Sequence, residues 1–68
     1  MLRLVVKSSA LTSMGYDEGT RVLELEYKNG TVYRFKEVPR RVWDELRRTD
    51  AIGAYVNANI RDKYDFLE

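Results

Sequence analysis

Neither cysteine nor histidine occurs in this 68-residue chain. Without cysteine there is no disulfide and no thiol nucleophile. Without either residue, the usual zinc ligands and the commonest general base are also missing. The longest apolar run, Leu4-Val5-Val6, is far short of a membrane span or a signal-peptide core. Charge of one sign is lacking too: twelve basic residues against eleven acidic leave a net charge of +1, which announces no nucleic-acid binder. No Walker or dinucleotide glycine pattern is present. Ser8, Ser9 and Ser13 have no triad partner. Asp17 and Glu18 are adjacent, but they share a turn in solvent and are not read as a catalytic pair. The expectation is a non-catalytic, soluble, cytoplasmic domain spanning residues 1–68, with no cofactor and no membrane partner. A chain this short buries only about 60% of the surface its unfolded form exposes. With disulfides and metals excluded, a second subunit is the reinforcement left, so a homo-oligomer is expected.

What is there centres on Arg21 to Val38. Leu23, Leu25 and Tyr27 alternate with Glu24, Glu26 and Lys28, the period of a half-buried strand. Beyond Asn29-Gly30, Tyr33 and Phe35 alternate with Arg34 and Lys36. A two-residue Asn-Gly turn would set Leu25 opposite Arg34 and leave both faces half charged. A loop of Lys28-Asn29-Gly30, a type I turn with Gly30 in the left-handed region as a G1 bulge, sets Leu25 opposite Tyr33 and Leu23 opposite Phe35 instead. Glu24 then faces Arg34 on the solvent side. A one-residue slip would turn the whole apolar set outward, so burial selects this register.

Elsewhere, Leu2 to Val6 reads as a strand with Leu2, Leu4 and Val6 on one face, broken by polar Lys7-Ser8-Ser9-Ala10. Leu11 to Tyr16 reads as another, with Gly15 marking an irregularity or a close approach. Asp17 to Thr20 turns the chain, with loops of three and four residues both acceptable. Pro39 suits a first helical turn. Val42, Trp43 and Leu46 form an apolar stripe on that helix. Thr49 or Asp50 is placed to cap a second helix, whose inward positions are Ile52, Tyr55, Val56 and Ile60. Tyr64 and Phe66 are expected to dock on the sheet edge or on another subunit. The fold class is α+β: a small antiparallel meander of three to four strands, then two helices packed on one face.

Two features bear on binding. Arg34 to Arg48 carries six basic residues (Arg34, Lys36, Arg40, Arg41, Arg47, Arg48) against Glu37, Asp44 and Glu45. They read as an ordinary solvated face or, less simply, as a phosphate-facing patch. Gly53, Asn57 and Arg61, spaced four apart, lie on one edge of the second helix's apolar face. They offer close approach, an amide and a planar fork for phosphate. They also serve as a helix–sheet contact, a loop hydrogen bond and an ion pair of Arg61 with Asp65 or another acid, and such structural networks outnumber binding sites. Tyr33 shares a face with Leu25 and reads as core.

Four segments carry a resemblance. They are Ser8-Ser9-x-Leu11-x-Ser13-Met14-Gly15-Tyr16-Asp17, Leu23-x-Leu25-x-Tyr27, Gly30-x-x-Tyr33-x-Phe35-x-x-Val38-Pro39 and Gly53-x-Tyr55-Val56-Asn57-x-x-Ile60-Arg61. Together they resemble the KTSC domain, a module named for the C-terminus of some lysyl-tRNA synthetases and also found alone in bacteria and phages. The likeness runs from about Val6 to Tyr64. The family's Tyr-x-Tyr stands here as Tyr33-Arg34-Phe35, and its Ser-Tyr-Phe-Asn as Ala54-Tyr55-Val56-Asn57. The resemblance implies the fold above, and the synthetase fusion suggests RNA as a partner. Three functions are therefore carried forward. The first is an RNA-binding or other nucleic-acid-binding module using Arg34, Arg40, Arg41, Arg47, Arg48 and Arg61. The second is a homo-oligomer holding a small (cyclic) nucleotide between subunits, at the Gly53-Asn57-Arg61 stripe with Tyr55 or Tyr64 nearby. The third is a protein-interaction module. No metal site is expected.

Overall fold

The computed structural model describes residues 2–67. Four strands come first, β1 (Leu2–Val5), β2 (Leu11–Asp17), β3 (Val22–Tyr27) and β4 (Val32–Phe35). Two helices follow, α1 (Arg40–Arg48) and α2 (Ile52–Asn59). The strands lie side by side in chain order in one antiparallel sheet, so the fold is the α+β meander with trailing helices. β1 joins its own sheet, setting Leu4 opposite Met14 and Val5 opposite Ser13. Leu4 and Val6 are half-buried against the core; the Leu2 side chain lies outside the described residues.

The β3–β4 turn is the bulged one. The Gly30 N–H donates to the Tyr27 carbonyl at 3.0 Å and the Tyr27 N–H to Thr31 at 2.8 Å, enclosing Lys28-Asn29-Gly30. Gly30 has φ of 90°, and the Asn29 Oδ1 accepts from the Thr31 N–H at 2.9 Å. Leu23 stands opposite Phe35, Glu24 opposite Arg34 and Leu25 opposite Tyr33. At the β2–β3 turn, Asp17 stands opposite Val22, so the loop has four residues. The Asp17 Oδ1 accepts from the Gly19 N–H at 3.0 Å, and Arg21 takes a φ of 58°.

Three local expectations need correcting. The irregularity in β2 is not at Gly15 but between Leu11 and Ser13, where Thr12 is the extra residue. The bulge brings Leu11 to the same side as Met14 and Tyr16, which strict alternation would forbid. α2 is capped by neither Thr49 nor Asp50. Its N-cap is Ala51, and the Thr49 Oγ1 instead accepts the Ala51 N–H at 3.2 Å in a local turn. Pro39 stands one position before α1 as its cap residue, its carbonyl accepting from the Val42 N–H at 3.0 Å.

The helices cover one face of the sheet. Val42, Trp43 and Leu46 from α1, with Val56 and the following Ile60, close over Leu11, Met14, Leu23, Leu25 and Phe35. The Tyr16 ring stacks on Trp43 at 5.8 Å, and its hydroxyl donates to the Val38 carbonyl at 2.6 Å, pinning the link into α1. Residues after α2 return along β4. The Lys36 N–H donates to the Asp65 carbonyl at 3.0 Å and the Leu67 N–H to the Arg34 carbonyl at 2.7 Å, with Phe35 and Phe66 paired. The tail therefore docks on the sheet edge and covers the unpaired groups of β4.

The other face is polar and cross-linked. Arg3, Gly15, Glu24 and Arg34 lie in one row across all four strands. Gly15 has no side chain, so the Arg3 guanidinium crosses β2 and pairs with Glu24, which also accepts from the Arg34 Nε at 2.7 Å. The Arg3 Nη1 further donates to the Ser13 Oγ, and Ser13 to the Glu26 Oε1, both at 2.7 Å. Glu26 is thus held by Ser13. Glu24, only 7% exposed, is the anion that joins both arginines.

Two substitutions check this frame. Gly30→Ala meets open space but forces a side chain into the left-handed region. It should lower stability by about 1–2 kcal/mol, read as a drop in the urea midpoint, and an unchanged midpoint would argue against the bulged turn. Glu24→Ala leaves two arginines unpaired, but both are partly solvated. A loss of about 1–2 kcal/mol is expected by the same measurement, and a gain would show the network to be dispensable.

Candidate nucleic-acid interface

A period-two pattern says which face a residue takes, not how far the opposing layer extends. Leu23, Leu25 and Tyr27 of β3 and Tyr33 and Phe35 of β4 all point to the helical side. The helices seal Leu23, Leu25 and Phe35 but stop short of the hairpin corner. Tyr33 emerges there 39% exposed, so it is not the core residue its alternation implied. A groove of about 280 Å³ opens at this corner, lined by Tyr27, Asn29, Tyr33, Phe35, Arg61 and Phe66.

Its aromatic wall is continuous. Tyr27 and Tyr33 meet edge to face at 5.2 Å, Tyr33 and Phe66 lie 5.4 Å apart, and Phe66 and Phe35 lie 5.0 Å apart. Burial pushes the Tyr27 phenol above its usual pKa, against the opposing pull of the Arg61 charge, so Tyr27 keeps its proton and remains a donor at neutral pH. Arg61 stands just beyond α2 and donates to the Asn57 Oδ1 at 3.3 Å. Among the described residues it has no carboxylate within ion-pair distance, Asp65 included. The groove thus places stacking surface, hydroxyls and one cation together.

The other expected site residues lie elsewhere. Arg34 is on the polar sheet face, tied to Glu24. Arg40 bonds Asp44 at 3.2 Å and also pairs with Glu18, and Arg47 pairs with Asp44 while lying 5.5 Å over the Trp43 ring. These arginines hold the Asp44 carboxyl below its usual pKa. Arg41 and Arg48 are exposed on α1. Tyr55 bridges the helices, its hydroxyl donating to the Glu45 Oε1 at 2.7 Å. Gly53 packs beside Ala10, where an added Cβ would make only ordinary contact at 3.7 Å, so no close approach requires glycine there. Of the six chosen positions (Arg34, Arg40, Arg41, Tyr55, Asn57, Arg61), the fold joins Asn57 to Arg61 and brings only Arg61 to the groove wall. Tyr27, Asn29 and Phe66 were not foreseen as lining residues. The hairpin register already placed Tyr27 beside Tyr33, and that was the available signal. Among the described residues no cluster of metal-ligating side chains occurs, and every buried side-chain polar atom has a hydrogen-bond partner.

The family model of the KTSC domain matches residues 7–64. A protein of Stutzerimonas stutzeri is 39% identical over 57 residues, covering 84% of this chain and 80% of that one. A protein of Tsukamurella paurometabola is 34% identical over 59 residues, covering 87% and 88%. A lysine–tRNA ligase of Nostoc punctiforme is 28% identical over 60 residues, which are 88% of this chain and 11% of that protein. The crystal structure of a KTSC domain protein from Yersinia pestis superposes with a TM-score of 0.93 at 27% identity, covering 98% of this chain and 94% of that one.

Tyr55 supplies a pH test of the helix pairing. Burial and the Glu45 hydrogen bond push its phenol up to about 12. The unfolded chain releases that proton near pH 10, so between pH 10 and 12 the folded state holds more protons and stability falls as pH rises. Below pH 10 the contribution is complete. Tyr55→Phe should flatten the part of the alkaline loss that lies in this window, followed by the melting temperature at a series of pH values. An unaltered profile would mean that the hydroxyl is not held as described.

Proposed function

This chain belongs to the KTSC domain family, and from the groove at its hairpin corner we propose that it is a non-catalytic module that binds RNA through unpaired bases. The observation that carries the reading is the joined ring surface of Tyr27, Tyr33, Phe35 and Phe66 with Arg61 beside it. Base–aromatic stacking contributes about 1–3 kcal/mol per base and tolerates any sequence, and an arginine fork matches a phosphate. The likeness to a small part of a lysine–tRNA ligase supports RNA over DNA, because that protein's name gives tRNA as its substrate. Absence of His and Cys supports binding rather than catalysis. No helix among the described residues is long and apolar enough to cross a membrane. Lack of cysteine fits a reducing cytoplasm, where the protein would meet RNA.

A second reading keeps the groove and adds a partner subunit, so that a small nucleotide is held between copies. Tyr33 and Phe66 favour it, being large aromatic residues exposed on the groove wall. The same surface would serve a protein partner.

Titration of single-stranded and structured RNA decides between these readings. Single-stranded RNA should bind, Tyr33→Ala and Arg61→Ala should each weaken it about tenfold or more, and both variants should keep their melting temperatures within a few degrees. No RNA bound at low salt would overturn the proposal.

A further inference from the structure

Resting on that reading of the groove, we infer that the site seats one nucleobase and one phosphate. The ligand is then a single nucleotide unit, supplied either by an unpaired position of a strand or by a free nucleoside monophosphate.

Size argues first. At about 280 Å³ the groove falls just below the range of roughly 300–1,000 Å³ usual for ligand sites, a size that suits one base and its phosphate. Ring geometry argues next. Tyr33 touches both Tyr27 and Phe66, and Phe66 touches Phe35, so no gap between rings admits an intercalated base. Tyr33 and Phe66, 39% and 55% exposed, present the outer surface on which a base can lie. The Asn29 Oδ1 is taken by Thr31, which leaves its amide N–H groups without a protein partner among the described residues and able to read a base edge.

Charge argues last. A strand-binding protein lines up several cations along the backbone path. Here Arg34 is spent on Glu24 across the opposite sheet face, Arg40 on Glu18 and Asp44, and Arg47 on Asp44, while the exposed Lys28, Lys36, Arg41, Arg48 and Lys63 do not line the groove. Arg61 is the groove's lining cation, and its bond to Asn57 is to a neutral amide. One phosphate is what such a site neutralises.

Counterion release converts this into a measurement, since the salt slope for single strands is about −0.7 per phosphate neutralised. Tyrosine fluorescence titrations would use the intact protein, the four nucleoside monophosphates and single-stranded RNA hexamers, at 50 and 200 mM salt. One phosphate predicts about a threefold loss of affinity across that fourfold salt change, whereas six would predict a loss of several hundredfold. Arg61→Ala should remove the salt dependence, while the bare nucleosides should bind more weakly than the monophosphates. Monophosphates binding within about tenfold of the hexamers would identify a free nucleotide as sufficient. Hexamers binding with the shallow slope while monophosphates fail would identify a strand position as the source. Hexamers binding with a steep slope would overturn the one-phosphate site and leave RNA binding standing. No binding of either probe would overturn RNA binding itself, and this inference with it.

Discussion

A left-handed residue at Gly30 decides which side of the sheet each residue of β4 meets. With the bulge in place, Leu25 and Tyr33 share a row and Glu24 and Arg34 share another, one toward the helices and one away. A tighter turn would shift β4 by one position and exchange its faces. Phe35 would then leave the core, where it is sealed, and the bridge to Phe66 would have no ring beneath it. The groove is therefore a consequence of a backbone preference and not of any one ring.

The same separation sorts the charges. On the open face, Glu24 lies beneath two arginines because Gly15 leaves the space between Arg3 and Glu24 unfilled. Around α1, Asp44 and Glu18 hold Arg40 and Arg47. These pairs are mostly exposed, so each contributes little to stability, but they lower the local density of positive charge. Arg61, placed beside phenols and an amide, keeps its charge available for a ligand. A nearly neutral protein can thus present one cation where it has stacking surface.

Much of this was legible in the sequence because burial and period two act together. The β3–β4 register, the inward helix positions Val42, Trp43, Leu46, Val56 and Ile60, and the docking of Tyr64 and Phe66 follow from apolar spacing. What was not legible depends on distance in the chain. Arg40 meets Glu18 across 22 positions, and Arg3 reaches Glu24 only because strands β1 and β3 flank a glycine. Read singly, Arg34 and Arg40 looked available for phosphate. The bulge at Thr12 has no glycine to announce it; it answers the need to bury Leu11 beside Met14. Tyr33 was misjudged because alternation gives direction but not the extent of the helical cover. That one residue separates a sealed core from a binding surface.

The proposed ligand recognition lies at the hairpin corner and not along the arginines of α1 or the open sheet face. Mapping backbone amide chemical shifts during addition of a short single-stranded RNA tests it most directly. The perturbed amides should gather at Tyr27 to Tyr33, around Arg61 and at Phe66. Perturbations centred on Arg40 to Arg48, or on Arg3, Glu24 and Arg34, would contradict it.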